Sequence, residues 1–318
     1  MPILTVTIPT KDRPALLPRA VGSVLDQVDD VEIVVVDDGS SEENAQRIVS
    51  LCDKDERIRL IRNDAPGGAP SARNQGLAIA TGRYWATLDD DDSWLPGKWD
   101  AQLEILERFG FPPDLVVVCA IKPSLPEPGA ARHAPAITEP QRPETLTILF
   151  ELLPTRAFLN TYLVPTELMR SIGGYDERFI WGEHTDVLIR LWMGARFAGT
   201  DFVGVLVDRW HDDAAGRTGR NWGLKVEGLT LLLDKHRATF AQEPEVQRLY
   251  RHVLGISQLR AGDRRAAIGT LAKTLLAGPG LKPRARVARH LILATLGSPS
   301  LQDRSDAHPP FKDEAEQV

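Results

Sequence analysis

Val31-Glu32-Ile33-Val34-Val35-Val36-Asp37-Asp38-Gly39-Ser40 is a near-continuous aliphatic run that stops on two carboxylates, a glycine and a serine. A strand buried on both faces reads this way, as strands of parallel sheets do. Upstream, Ile3 to Ile8 alternates threonine with aliphatic residues and reads as another strand. Between the two, Pro14 to Gln27 sets Leu16, Leu17, Ala20, Val21, Val24 and Leu25 at helical spacing, and Ser41 to Cys52 repeats the pattern behind a serine cap. Ile58 to Arg62 and Tyr84 to Leu88 add two short strands, with a helix over Ser71 to Ala80 between them. Such alternation predicts an α/β sheet wound with right-handed crossovers.

Further along, the pattern predicts a helix over Trp94 to Arg108 and a buried strand over Leu115 to Ile121. Lys122 to Pro143 holds Pro123, Pro126, Pro128, Pro135, Pro140 and Pro143, too much proline for helix or central strand, and is expected to be a loop. Order is expected again at Leu146 to Leu152, at a strand near Thr161 to Val164, and at a helix from Thr166 to Ile172 that ends on Gly173-Gly174. Asp186 to Met193 reads as helix and Phe202 to Trp210 as strand. From about Leu224 the chain is helical and basic, with one helix-turn-helix hairpin from Tyr250 to Pro279 around Gly262-Asp263. The domains read as residues 1–222, a basic helical region over 223–302, and a flexible tail over 303–318.

The composition is that of an ordinary folded protein: 318 residues, 42% apolar and 26% charged. A net charge of −6 gives a nucleic-acid partner no support. The charge is uneven, because Gln247 to Leu296 carries ten Lys or Arg against the single acid Asp263, a net +9. Cys52 and Cys119 are the only cysteines, so a disulfide framework is excluded and a reducing cytoplasm is expected. The N-terminus predicts no secretory signal, and no run approaches the length of a membrane span.

Asp89-Asp90-Asp91-Asp92 directly follows the Tyr84 strand and precedes Ser93-Trp94-Leu95-Pro96. Four adjacent carboxylates repel unless a cation or solvent intervenes, and the carboxyl edge of a parallel sheet is where ligands bind. Two readings stand: a site for Mg²⁺ or Mn²⁺ that also holds a phosphate, or a solvated acidic turn. An EF-hand is excluded, since Trp94 occupies the place where its loop needs glycine. Asp37-Asp38-Gly39-Ser40 ends its strand on the same edge, where a carboxylate can accept from a ribose or base, or can merely close a turn. The first strand ends in Pro9-Thr10-Lys11-Asp12-Arg13 with no Gly-x-Gly-x-x-Gly turn, and the chain has no Gly-Lys-Ser/Thr loop. Both absences argue against a dinucleotide oxidoreductase or a P-loop kinase.

Taken in order, Pro9-Thr10, Val36 to Ser40, Gly68-Ala69-Pro70-Ser71-Ala72-Arg73-Asn74-Gln75-Gly76, Ala80-Thr81-Gly82, Leu88 to Pro96 and Ile172-Gly173-Gly174-Tyr175-Asp176-Glu177-Arg178-Phe179 resemble the motifs of family-two glycosyltransferases of GT-A fold. The likeness runs over roughly residues 1 to 215. It implies a Rossmann-like mixed sheet flanked by helices, with a helical C-terminal extension. It also implies an inverting transfer from a nucleotide-diphosphate sugar, a UDP-sugar as first expectation, to a saccharide or lipid-linked hydroxyl. The resemblance places the nucleotide sugar at Pro9, Thr10, Asp12, Asp38, Arg73, Asp89, Asp90 and Arg217, with Asp38 near the base. It places Mn²⁺ or Mg²⁺ at Asp89, Asp91 and His211, with Asp91 as the direct ligand. Metal on the departing diphosphate fits the chemistry, since that group leaves only when its charge is neutralised.

One segment departs from the family. Its base is an Asp after a Glu, six residues before an Arg, whereas Trp181-Gly182-Glu183-His184-Thr185-Asp186-Val187-Leu188-Ile189-Arg190 has His184 at that place. Glu183, His184 and Asp186 compete for the role, and the bland reading is that all three serve a helix N-terminus that welcomes acids. The departure keeps a catalytically weak nucleotide-sugar-binding scaffold open beside a transferase, and a nucleotidyltransferase stands as a third reading. In Arg284 to Leu296, Arg286, Arg289 and His290 oppose Val287, Leu291, Ile292 and Leu296. That pattern suits either a helix packed on its own domain or peripheral binding at the inner membrane face.

Overall fold

β1 (Leu4–Thr10) lies inside the sheet and pairs in parallel with β2 (Val31–Asp37) on one side and β4 (Tyr84–Thr87) on the other. β3 (Ile58–Arg62) extends the parallel part beyond β2. On the far side of β4 the sheet changes direction. There β7 (Tyr162–Pro165) runs antiparallel to both β4 and β6 (Leu115–Pro123), and β6 pairs in parallel with β8 (Arg196–Val207). The two-residue β5 (Ser93–Trp94) closes the order β3-β2-β1-β4-β7-β6-β8-β5. This is a mixed α/β sheet, and the expected βαβα start is present. A computed structural model of the chain describes residues 2–123, 139–152, 159–207, 221–276, 287–288, 290–292 and 295. The expectations at Pro126, Pro128, Pro135, His211, Arg217 and the tail over 303–318 lie outside the described residues, as does most of the 284–296 helix.

Burial explains the strand pattern. Leu4, Val6, Ile8, Ile33 and Val35 pack into one large apolar cluster with Leu17, Ala20, Val21 and Val24 of α1 (Leu17–Leu25) and with Ile48 and Cys52 of α2 (Glu42–Cys52). The alternating threonines of β1 face the other way and are equally buried. Thr5 Oγ1 donates to Glu32 Oε2 at 2.7 Å, and Thr7 Oγ1 accepts from Trp85 Nε1 at 2.9 Å, so their polar atoms are satisfied under α3 (Ala69–Ile79). Gly76 permits this: a Cβ there would stand 2.3 Å from the Thr7 side chain.

Several boundaries differ from the pattern-based expectation, each for a local reason. α4 begins at Lys98, not Trp94 (Lys98–Arg108), because Pro96 and the left-handed Gly97 (φ 90°) interrupt the chain. Trp94 instead pairs with Val205, and its amide donates to Ser23 Oγ. Ser41 heads α2 without a side-chain cap bond. After α5 (Leu146–Leu152) and α6 (Thr166–Ser171), α7 starts at Glu183, three residues before the expected Asp186, behind Gly182 at φ 89° (Glu183–Trp192). β8 starts at Arg196, six residues early, and Gln141 forms an isolated bridge to Phe197 within the expected proline-rich loop.

The chain divides into two compact units, Met1–Asp212 and Asp213–Val318. The second is helical: α8 (Trp222–Lys235), α9 (Arg237–Gln242), α10 (Pro244–Arg260) and α11 (Arg264–Leu276). The expected hairpin is α10 and α11, turning at Gly262 (φ 89°), with Asp263 Oδ1 accepting the Ala266 amide at 2.9 Å. Among the described residues no helix is long and apolar enough to cross a membrane.

Candidate active site

Strand register sets the site. β1 meets β4 at Thr7↔Thr87 and β2 at Thr10↔Asp37, so Pro9 to Arg13, Asp37 to Ser40 and Asp89 to Asp92 leave the sheet along one edge. The same register brings Thr10 Oγ1 to Asp90 Oδ2, a 2.8 Å hydrogen bond that Arg13 Nη1 supplements at 3.2 Å from Oδ1. Asp90 is 5% exposed, and its burial pushes the carboxyl up to about 6. Its side chain therefore ties two strand ends together. Asp89, Asp91 and Asp92 are the trio that each offer an oxygen within 4.8 Å of one another.

Asp89 accepts from Arg73 Nη2 at 2.7 Å and from Asn160 Nδ2 at 3.2 Å. Enclosure is the largest single influence and opposes its ionisation, but the Arg73 charge and the hydrogen bonds from Arg73 and Asn160 together hold the carboxyl below the usual carboxylate range. Asp91 meets Arg13 Nη1 at 3.4 Å, while Arg19 Nη2 reaches the Asp91 carbonyl. Asp92 is buried and accepts from Asn160 Nδ2 at 2.6 Å. Hard oxygen donors converging beside the buried Arg73 fit a small divalent ion and its phosphate better than a softer metal. The expected ligands Asp89 and Asp91 are thus together, Asp92 joins them, and His211 lies outside the described residues.

Arg73 connects this cluster to the base candidates. It is 3% exposed on α3, with Nη2 on Asp89 and Nη1 3.4 Å from Glu183 Oε1, and its guanidinium lies 5.2 Å from the Tyr175 ring centroid. Burial opposes its charge, but Asp89, Tyr175 and Glu183 more than compensate, so it stays protonated. The neighbouring Asn74 fixes the approach of α7: it accepts the Tyr175 amide at 2.7 Å and donates to the Tyr175 carbonyl and Glu177 at 2.9 Å. A side chain at Gly174 (φ 62°) would fall 2.5 Å from the Asn74 oxygen.

On the first turn of α7, Glu183 and His184 are each 16% exposed, with Glu183 Oε1 3.6 Å from His184 Nε2. His184 Nδ1 faces Tyr175 OH at 3.4 Å, and the two rings meet edge to face. Burial lowers the His184 pKa from its ordinary value, so the imidazole is neutral at pH 7. Asp186 differs: it is fully buried, with Oδ2 taking both Nε and Nη2 of Arg190 at 3.0 and 2.6 Å, while Arg190 Nη1 donates to the Ile172 carbonyl. An Asp186 carboxylate so committed serves the packing of α7 and offers no access to an acceptor.

Two expected nucleotide contacts brace loops. Asp38 Oδ1 accepts the Gly67 amide and Asn63 Nδ2, and Oδ2 accepts the Gly68 amide, so its carboxylate anchors the Gly67-Gly68 turn. Asp12, at φ 54°, accepts from the Ser41 amide and Asn44, while its own amide donates to Ser40 Oγ. These bonds hold its pKa low and lock the first loop to the second. Pro9 is a buried member of β1, opposite Val36. Sequence reasoning assigned no part to Asn160 or Tyr175 and no separate role to Asp92 within the acidic run. Asn160 carries no motif signal, whereas Asp92 and Tyr175 sit inside quoted motifs without a spacing that marks them.

Residues 5–164 match the family described as Glycosyl transferase family 2. The chain belongs to that family. The chain is 38% identical over 99 residues (30% of its length) to a Campylobacter jejuni GalNAc(5)-diNAcBac-PP-undecaprenol beta-1,3-glucosyltransferase, taking in 32% of that protein. It is 31% identical over 105 residues (33% of this chain) to the Escherichia coli UDP-Glc:alpha-D-GlcNAc-diphosphoundecaprenol beta-1,3-glucosyltransferase WfgD, taking in 41% of it. Across eight curated relatives the match spans between 16% and 54% of the relative's length. The family 2 chain also shares its fold with the crystal structure of S. aureus TarS 1-349 in complex with UDP-GlcNAc, at a TM-score of 0.61 and 15% identity over 95% of this chain and 89% of that one. The GT-A architecture expected from the motifs is the observed one.

Proposed function

We propose that this glycosyltransferase moves a sugar, with inversion, from a UDP-sugar to a hydroxyl of a lipid-diphosphate-linked saccharide during glycan assembly. The observation that carries the reading is Arg73, which holds Asp89 of the acidic edge and Glu183 of α7 in one cradle. An inverting displacement needs leaving-group stabilisation and an acceptor base on either side of one carbon, and Arg73 fixes their separation. The two named relatives, whose names specify undecaprenol diphosphate acceptors and, for one, UDP-Glc, support the substrate class.

When bound by Asp89, Asp91 and Asp92, Mg²⁺ or Mn²⁺ would supply positive charge for the departing diphosphate. Glu183 takes the acceptor proton. The acceptor oxygen bonds to the anomeric carbon as the carbon–oxygen bond to the diphosphate breaks, and that electron pair leaves with the nucleoside diphosphate. Neutral His184, wedged between Glu183 and Tyr175, keeps the carboxylate aimed and adds no competing positive charge. The basic helical region, with Arg264 and Arg265 exposed at the start of α11, suits the anionic inner membrane surface where such an acceptor is anchored.

The test is UDP release from UDP-glucose and UDP-GlcNAc with an undecaprenyl-diphosphate saccharide, with and without Mn²⁺. Asp91→Ala is expected to abolish Mn²⁺-dependent release. Undiminished turnover by that variant, or wild-type transfer unaffected by chelator, rejects the metal-dependent reading.

A further inference from the structure

Asn160 lies in a 3₁₀ turn (Leu159–Thr161) just before β7, 1% exposed. Its Nδ2 bridges Asp92 Oδ2 at 2.6 Å and Asp89 Oδ2 at 3.2 Å, so one neutral amide spans two of the three clustered carboxylates. Its Oδ1 is buried and meets no hydrogen-bond donor among the described residues. A buried acceptor left this way has lost its water without regaining a donor, a deficit that a cation or its water relieves. The turn is fixed from beneath: Gln102 Nε2 donates to the carbonyls of Thr161 at 2.9 Å and Val117 at 3.0 Å, and Lys98 Nζ donates to Gln102 Oε1 at 2.7 Å.

We propose that Asn160 is the positioning residue of the acidic edge, its buried amide holding Asp89 and Asp92 at the spacing a divalent cation requires and its orphaned oxygen completing the polar lining around that cation. This rests on the metal-dependent reading above. Two carboxylates that accept from one amide keep their remaining lone pairs turned toward the shared space, which lowers the cost of organising them when the ion arrives. Arg73 performs the complementary task on the other oxygen of Asp89.

The experiment measures Mn²⁺ affinity by electron paramagnetic resonance in the presence of UDP, together with melting temperature, for wild type, Asn160→Ala and Asn160→Asp. Asn160→Ala is expected to bind Mn²⁺ about 10–100-fold more weakly, the range seen when groups orienting metal ligands are lost. Asn160→Asp removes the amide donor and adds a carboxylate, so its metal-free form should melt lower than wild type and gain more from Mn²⁺. Wild-type affinity in Asn160→Ala overturns the positioning role while leaving the metal site standing. Should Asn160→Ala fail to fold, an Asn160→Asp protein whose melting temperature Mn²⁺ does not raise beyond the wild-type gain overturns it as well. Absence of Mn²⁺ binding by the wild type defeats the metal-dependent reading itself, and this inference with it.

Discussion

Replacing Lys98 by methionine tests the support beneath the acidic edge. The ammonium is fully buried on α4, 3.6 Å from the centroid of the Trp94 ring and hydrogen-bonded to Gln102. Burial brings its pKa down from 10.5 to about 8. Because the folded pKa lies below the unfolded one, the cost of the buried charge is fully present below pH 8 and disappears as pH rises through 8 toward 10.5. At about 1.4 kcal/mol per pH unit, wild-type stability should gain about 2 kcal/mol between pH 7.5 and 9.5 from this group alone. Lys98→Met removes that gain. At neutral pH the substitution relieves the buried charge but forfeits the indole contact and leaves Gln102 Oε1 without its donor, so the net change there is small. Urea unfolding of both proteins, followed by tryptophan fluorescence at half-unit steps of pH, reads the difference directly, since other titrating groups are common to both. Parallel stability curves would refute the argument, because they would mean that Lys98 titrates alike folded and unfolded.

Arg73→Met leaves Asp89 and Glu183 without their shared cation; a loss of about 3–5 kcal/mol in stability, typical of a broken buried ion pair, is expected in chemical denaturation. Glu183→Gln should lower kcat about 10²–10⁴-fold with little change in donor binding, as removal of a general base does. His184→Ala should cost markedly less, and a larger loss in His184→Ala than in Glu183→Gln would transfer the base role to the imidazole. Steady-state kinetics with the same donor and acceptor separates the two.

The parallel half of the sheet was legible because its strands are apolar runs cut off by turn residues, and Val31 to Ser40 alone fixes a buried strand with its exit. β5 was hidden, since two residues pairing with β8 leave no periodicity, and Trp94 reads equally well as the start of α4. The acidic edge was legible as a motif, but the division of labour within it was not. Asp90 turns to Thr10 and Asp92 to Asn160 because of contacts made 80 and 68 residues away in sequence. The family resemblance places Asp38 and Asp12 at the nucleotide, and backbone amides of neighbouring loops engage both. Asp186 carries the acid-at-helix-start signature, yet its partner is the Arg190 one turn later.

Thr10 grips Asp90 at the offset that pairs Leu4 with Tyr84 throughout β1 and β4. The acidic string is therefore calibrated by a ruler laid along the sheet. A one-residue slip of β4 against β1 would carry Asp90 off Thr10 and turn Tyr84 and Ala86 out of the apolar cluster, so the buried face of β4 guards the placement of the string. The geometry of the acidic string is thus underwritten by the apolar side of a strand that carries none of its carboxylates.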